Sequence, residues 1–147
     1  MNGQLVTDCT EEKGYFLLHR VWQTGDLVEY DLEMKPRRVY ADPRVRADVG
    51  CTALMRGPVV YAFEEVDNGG ILQSCRIPRD AIIREKPFDP DLLGGIVALQ
   101  VEGKRQKTDG GLYSETLPQE EPAEFTAVPY YAWCNRGKNQ LRVWMRE

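Results

Sequence analysis

Leu27-Val28-Glu29-Tyr30-Asp31-Leu32-Glu33-Met34 is the stretch that decides the fold class. Val28, Tyr30, Leu32 and Met34 alternate with Leu27, Glu29, Asp31 and Glu33, which gives one apolar face and one mostly acidic face. A period of two is the signature of a strand with one side on a core and the other in water. The same pattern recurs at residues 140–146, where Leu141, Val143 and Met145 alternate with Arg142, Trp144 and Arg146. Residues 14–22 are apolar on both faces except for His19 and Arg20, as in a strand covered on both sides. Residues 52–55, 59–64, 96–102 and 124–128 complete the expected strands. No window of helical length carries apolar positions at i, i+3, i+4 and i+7 with caps at both ends.

Turn chemistry separates these runs. Thr24-Gly25-Asp26 suits a tight hairpin, and Asp67-Asn68-Gly69-Gly70 offers residues tolerant of positive φ for a hairpin or short loop. Gly94-Gly95 and Asp109-Gly110-Gly111 read as further turns. Lys86-Pro87-Phe88-Asp89-Pro90-Asp91 is excluded from a central strand, because each proline removes a ladder donor. Residues 104–122 read as a long loop. Many short strands with Gly/Pro turns predict an all-β chain, an antiparallel β-sandwich of jelly-roll type, formed by residues 1–147 as one domain.

Composition excludes several function classes. The formal net charge is −4 over 147 residues, whereas a nucleic-acid footprint needs a strongly basic face. Arg37-Arg38 and Arg44/Arg46 are interrupted by Tyr40, Asp42 and Asp48, so they read as a solvated strand face. No apolar run approaches the roughly 18–20 residues of a membrane span. The opening Met1-Asn2-Gly3-Gln4 carries no signal-peptide pattern, which favours the cytoplasm slightly and leaves the compartment open. Cys9, Cys51, Cys75 and Cys134 are dispersed and His19 is the single histidine. That spacing is not a zinc site, and buried free thiols are the plainer reading. No metal and no cofactor is expected.

Chemistry in the sequence is sparse. Neither Ser74 nor Ser114 sits in a nucleophile elbow, and no Gly-rich loop leads into a helix to hold phosphate. Paired carboxylates are the remaining enzymatic option. Glu64 and Glu65 are adjacent on a strand and point to opposite faces, so they do not pair directly. Asp67, Asp89 and Asp91 complete the candidates, and Asp89 with Asp91 are too few oxygens to specify calcium. The densest cluster of binding side chains is Pro129-Tyr130-Tyr131-Ala132-Trp133-Cys134-Asn135-Arg136-Gly137. Stacking faces beside a planar donor suit a sugar or a docking domain.

Three motifs in order carry a resemblance. The first is Gly14-Tyr15, Arg20, Trp22 and Gly25-Asp26. The second is Arg56-Gly57-Pro58-Val59-Val60-Tyr61 followed by Glu64 and Asp67-Asn68. The third is Pro129-Tyr130-Tyr131-Ala132-Trp133 with Asn135-Arg136-Gly137 and Val143-Trp144. This set resembles the C-terminal β-sandwich region of glycoside hydrolase family 127, the β-L-arabinofuranosidase-type hydrolases, from Asn2 to Met145. Cys134 stands where the pattern suggests a small residue such as alanine.

The resemblance implies a fragment of a longer hydrolase whose catalytic apparatus lies in an N-terminal (α/α) barrel. That apparatus includes a zinc-bound cysteine nucleophile with cysteine and glutamate ligands, some of them an adjacent cysteine pair. This chain has no Cys-Cys pair, so no catalytic or metal residue carries over to it. The implied role is a non-catalytic accessory domain that braces the barrel, with the barrel as its partner. Carbohydrate-contact or domain-contact candidates are Tyr130, Tyr131, Trp133, Asn135, Arg136, Trp22 and Arg56. A carbohydrate-binding module using Tyr130, Tyr131 and Trp133 to hold an oligosaccharide is the second reading. A self-sufficient glycosidase using a carboxylate pair around Glu64 is the third. Trp22 and Tyr15 are expected to anchor the core or a domain contact, and Arg56 to pair a carboxylate such as Glu64 or Asp26. Residues 135–137 are expected to turn into the last strand. A sheet edge left open by a missing upstream strand would permit self-association.

Overall fold

The computed structural model describes residues 1–108 and 111–147. The chain forms two compact units, Met1–Glu33 and Met34–Glu147. In the first, β1 (Thr10–Glu12) and β2 (Tyr15–Leu17) form an antiparallel hairpin with Thr10 opposite Leu17 and Glu12 opposite Tyr15. The two-residue connection is Lys13-Gly14, with φ of 52° and 83°. Positive φ at both central positions is what a type I′ turn requires, and its twist matches that of the strands.

The alternating stretch that announced the fold class is not a strand itself. Residues 27–34 form no strand, and Leu27, Val28, Tyr30 and Leu32 are exposed. The doubly covered strand expected at 14–22 is likewise reduced to Tyr15–Leu17, with Tyr15 and Val21 open to solvent. His19 is exposed and outside any strand. A turn does form at Gly25, where φ is 94°, but it does not join two strands.

The second unit is an all-β, mostly antiparallel sandwich. Its strands are β3 (Pro36–Val39), β4 (Cys51–Arg56), β5 (Val59–Glu64), β6 (Cys75–Arg76), β7 (Ile83–Glu85), β8 (Leu99–Gln106), β9 (Glu120–Pro129), β10 (Leu141–Arg142) and β11 (Met145–Arg146). They pair in the order β10-β5-β9-β8-β6-β11-β4-β3, with β7 on β8. The β4–β5 hairpin joins two members of that path, so hydrogen bonding runs around the core. The β6–β11 pair is parallel. Each of the six strands in this circuit supplies a side chain to one cluster: Leu54, Tyr61 and Phe63, Cys75, Leu99 and Val101, Phe125 and Ala127, and Met145. Fully burying each large apolar side chain contributes about 1.5–3 kcal/mol.

The strand reading is accurate where this core imposes it. Residues 59–64 are β5 to the residue, and 52–55 and 124–128 fall inside β4 and β9. The loop expected at 104–122 is shorter, because β8 and β9 pair from Leu99↔Ala127 out to Gln106↔Glu120. The turn expected at Asp109-Gly110-Gly111 lies, in its first two positions, outside the described residues. Residues 140–146 split into β10 and β11, which pair with β5 and with β4 and β6 respectively. Gly57-Pro58 is the two-residue turn of the β4–β5 hairpin. Glycine at φ 54° followed by proline is the type II′ arrangement. Asp67-Asn68 ends the one-turn helix α1 (Glu65–Asn68) and leads into Gly69 and Gly70, so it forms a short loop rather than a hairpin.

Candidate functional site

The second and third sequence motifs meet at the end of β5. Alternation along β5 sends Tyr61 and Phe63 into the main core, and Glu64, the last residue of the strand, is fully buried. The segment that follows β9 returns across it. Glu64 Oε1 accepts the Cys134 backbone N–H at 2.9 Å and the Asn139 amide at 3.3 Å, and its Oε2 accepts Arg136 Nη2 at 2.5 Å. The same guanidinium forks onto Asp67, Nη1 to Oδ1 at 2.7 Å and Nη2 to Oδ2 at 2.5 Å. Parallel N–H···O pairs of this kind are the strong, orientation-fixing form of an arginine–carboxylate contact.

The neighbours of Glu64 tie the same segment down. Glu65 accepts the Gln140 N–H on its carboxylate at 2.9 Å, while its own N–H donates to the Gln140 carbonyl at 3.0 Å. Buried Asn68 donates to the carbonyls of Glu64 and Thr126 and accepts the Thr126 N–H at 2.8 Å. The run Glu64, Glu65, Asp67 and Asn68 is thus a polar clasp holding residues 134–140 and β9. Glu64 and Glu65 do not pair with each other: Glu64 ends β5 and turns inward, whereas Glu65 opens α1 and accepts the Gln140 N–H.

Electrostatics fit a clasp better than an acid catalyst. Burial pushes the Glu64 carboxyl up, but hydrogen bonds from Arg136, Cys134 and Asn139 together outweigh it and hold the group below its ordinary value. Asp67 and Glu64 in turn raise the Arg136 guanidinium despite its burial. A glycosidase general acid needs the opposite shift, a carboxyl kept protonated near neutrality. Both oxygens of Glu64 are already engaged.

The clasp presents the aromatic run. Pro129 leads from β9 into a single 3-10 turn, Tyr130–Ala132. Asn135 donates to the Ala132 and Trp133 carbonyls at 3.0 and 3.3 Å and closes that turn. Ala132 is buried against Ile96, Ala98 and Val128 in a second small core. The three rings stay outside it: Tyr130, Tyr131 and Trp133 are 43%, 69% and 38% exposed. Tyr130 and Trp133 lie side by side, centroids 5.9 Å apart and planes tilted by 33°. Asn135 and Arg136 therefore serve as supports, and the rings form the surface. Residues 135–137 do turn toward β10, with Gly137 at φ 91°.

Two other candidates lie elsewhere. Arg56 pairs with Glu85 at 2.9 Å, not with Glu64 or Asp26. In the first unit Trp22 is half exposed and no core anchor; the Arg20 guanidinium lies over its ring at 5.5 Å and pairs with Asp26 at 3.5 Å. Asp26 also accepts the Gln23 N–H and the Asn2 amide, so the first motif closes a local network of its own. Cys51 and Cys75 are buried free thiols and Cys134 is an exposed one. Among the described residues, no three His, Cys, Asp or Glu side chains converge as a metal site would need, and no helix is long and apolar enough to cross a membrane. Sequence reading missed Asn139, the Cys134 amide and the Arg136–Glu64 pairing, because the partners are 70 or more residues apart.

Residues 36–146 match the family model of the glycoside hydrolase family 127 C-terminal domain. The non-reducing end β-L-arabinofuranosidase of Bifidobacterium longum is 37% identical over 99% of this chain, and the chain spans 23% of that protein's length. Among solved structures, a family 127 β-L-arabinofuranosidase of Geobacillus stearothermophilus T6 is 44% identical with a TM-score of 0.74, covering 78% of this chain and 18% of its own. A family 127 β-arabinofuranosidase is 34% identical with a TM-score of 0.83, covering 99% of this chain and 22% of its own.

Proposed function

We propose, for a chain that belongs to the glycoside hydrolase family 127 C-terminal domain family, a non-catalytic accessory role beside the catalytic part of a β-L-arabinofuranosidase-like hydrolase. The observation that carries this reading is the closed clasp at Glu64. The best-placed carboxylate of the sequence has no free oxygen and a depressed pKa, and its ligands build the loop that turns three aromatic rings outward. Such a surface suits docking, since large rigid rings bring contact area at low entropy cost. Its partner would be the catalytic barrel, which fits a chain spanning only 23% of its arabinofuranosidase relative.

A second reading is favoured by one specific feature. Tyr130 and Trp133 are adjacent, partly exposed and only moderately tilted, a geometry on which one sugar ring could stack. Calorimetric titration of the purified chain with arabinofuranosyl oligosaccharides separates the two. The accessory role expects no saturable binding by the folded chain and no turnover of an aryl β-L-arabinofuranoside. Saturable binding lost in Trp133→Ala would replace it with a carbohydrate-binding module. Turnover lost in Glu64→Gln would replace both with a carboxylate-based hydrolase.

A further inference from the structure

A different face of the sandwich carries an unbalanced row of cations. In the β6–β8 ladder Arg76 lies opposite Lys104, and in the β6–β11 ladder Arg146 lies opposite Arg76. Residues paired directly across a sheet project to the same side, so three cations stand in line on neighbouring strands. Like charges in that arrangement are destabilising. Glu120 is shared by the first two, 2.7 Å from Arg76 Nη1 and 3.9 Å from Lys104 Nζ. Arg146 and the nearby Arg142 have no carboxylate at ion-pair distance among the described residues. The Glu147 side chain points to Arg79 and Arg38, at 2.9 and 4.0 Å, and its carbonyl oxygen is taken by Arg76.

These guanidinium groups surround a hollow. Arg76, Arg142 and Arg146, with Gln106, Cys51 and a single acidic residue, Glu147, line a cavity of about 380 Å³. Arg142 is half-buried, and its Nε donates to the Trp144 carbonyl at 3.2 Å, which fixes the plane of the fork. A fixed planar fork beside a second, exposed guanidinium is the donor set that recognises the oxygens of a carboxylate or phosphate. A sequence that sets three like charges in line with one carboxylate shared by the first two breaks a local rule, and such breaks concentrate at functional sites.

We propose that this pocket is a binding site for a small oxyanion, a carboxylate or phosphate group of a ligand, held by Arg142 and Arg146 beside Arg76. The site is independent of the aromatic surface and of the accessory role.

The test is a nuclear magnetic resonance titration of the 147-residue chain, in which sodium chloride is replaced by inorganic phosphate, or by galacturonate, at constant ionic strength. The expected result is saturable shifts at the Arg142 and Arg146 Nε–H signals with at least one of the two probes. A response to phosphate alone assigns a phosphate group, and a response to galacturonate alone assigns a carboxylate. Arg146→Gln should weaken binding about tenfold, the loss of one charged hydrogen-bond donor, and Arg142→Gln with Arg146→Gln should abolish it. Arg84→Gln, which removes an exposed arginine paired with Glu102, should leave binding unchanged. Absence of saturable shifts in the unmodified chain with either probe overturns the proposal, and so does an unchanged affinity in the double variant. The first of these outcomes does not depend on any variant folding.

Discussion

Replacing Arg136 by alanine should unseat the clasp. The change removes the fork on Asp67 and the contact with Glu64, whose carboxylate would keep only the Cys134 and Asn139 amides. Taking one partner from a buried ion pair costs about 3–5 kcal/mol, because the other charge stays buried and uncompensated. Glu64 is fully buried, but the Arg136 and Asp67 side chains are 21% and 19% exposed. Water therefore recovers part of the loss, and the expected cost is about 2–4 kcal/mol. That is a large share of a typical stability of about 5–15 kcal/mol and corresponds to a fall in Tm of roughly 10 °C for a domain of this size.

Urea unfolding at pH 7, followed by tryptophan fluorescence, measures the loss. Glu64→Gln added to Arg136→Ala should then restore about 1–2 kcal/mol, since an unpaired buried amide costs less than an unpaired buried charge. The pH dependence supplies a second reading. In the unmodified chain the folded Glu64 carboxyl lies below its ordinary value of 4.5. Its contribution is fully present above that value and is lost as pH falls through the folded pKa. Without Arg136, burial is opposed only by the two amides and the folded pKa rises, so the deficit of the variant should shrink as pH falls toward 4.5. A loss under about 1 kcal/mol, or a double variant no more stable than Arg136→Ala, would refute the clasp.

The remaining predictions concern the same unit. Asn68→Ala strands the Thr126 N–H and the Glu64 and Thr126 carbonyls and should cost about 2 kcal/mol or more, with hydrogen exchange at the Thr126 amide losing its protection. Gly103→Ala places a Cβ 2.5 Å from the Arg76 carbonyl oxygen and 2.5 Å from the Phe125 ring; overpacking of that kind costs about 1–3 kcal/mol, read as a lower urea midpoint. Under native conditions a thiol reagent should modify exposed Cys134 first, whereas buried Cys75, whose thiol burial pushes up, should react only on unfolding. Peptide mapping after timed labelling gives the order.

Legibility in the sequence followed the core. Residues 59–64 are a nearly continuous apolar run because Tyr61 and Phe63 enter a cluster fed by five other strands while Ala62 and Glu64 are buried on the other face, so the pattern there reports a burial that exists. Residues 27–34 alternate cleanly, yet they form no strand and four of their apolar side chains are exposed. Alternation records the capacity for one-sided burial, and a strand forms only where a neighbour supplies hydrogen bonds. The short strands β3, β6 and β7 were illegible for the converse reason. They span two to four residues, too few for a period to register, and their ladders with β4 and β8 hold them in place.

The candidate site was legible in its parts and not in its pairing. The motifs at Glu64, Asp67-Asn68 and Asn135-Arg136 were visible, as were the rings beside them, but the sequence offered Arg56, and not Arg136, as a partner for Glu64. Sequence distance favours Arg56, eight positions away against 72. Topology reverses that preference. The β4–β5 hairpin pairs Arg56 with Val59 at its turn end and leaves Glu64 at the far end of β5, five residues or about 17 Å of extended chain away. Antiparallel β9 pairs its last residue, Pro129, with Tyr61, so the chain leaves it heading away from Glu64, and it is β10, with Leu141 opposite Glu64, that brings residues 134–140 back to the carboxylate. The ladder register thus assigns the arginine, through a β5–β10 pairing that neither motif encodes alone.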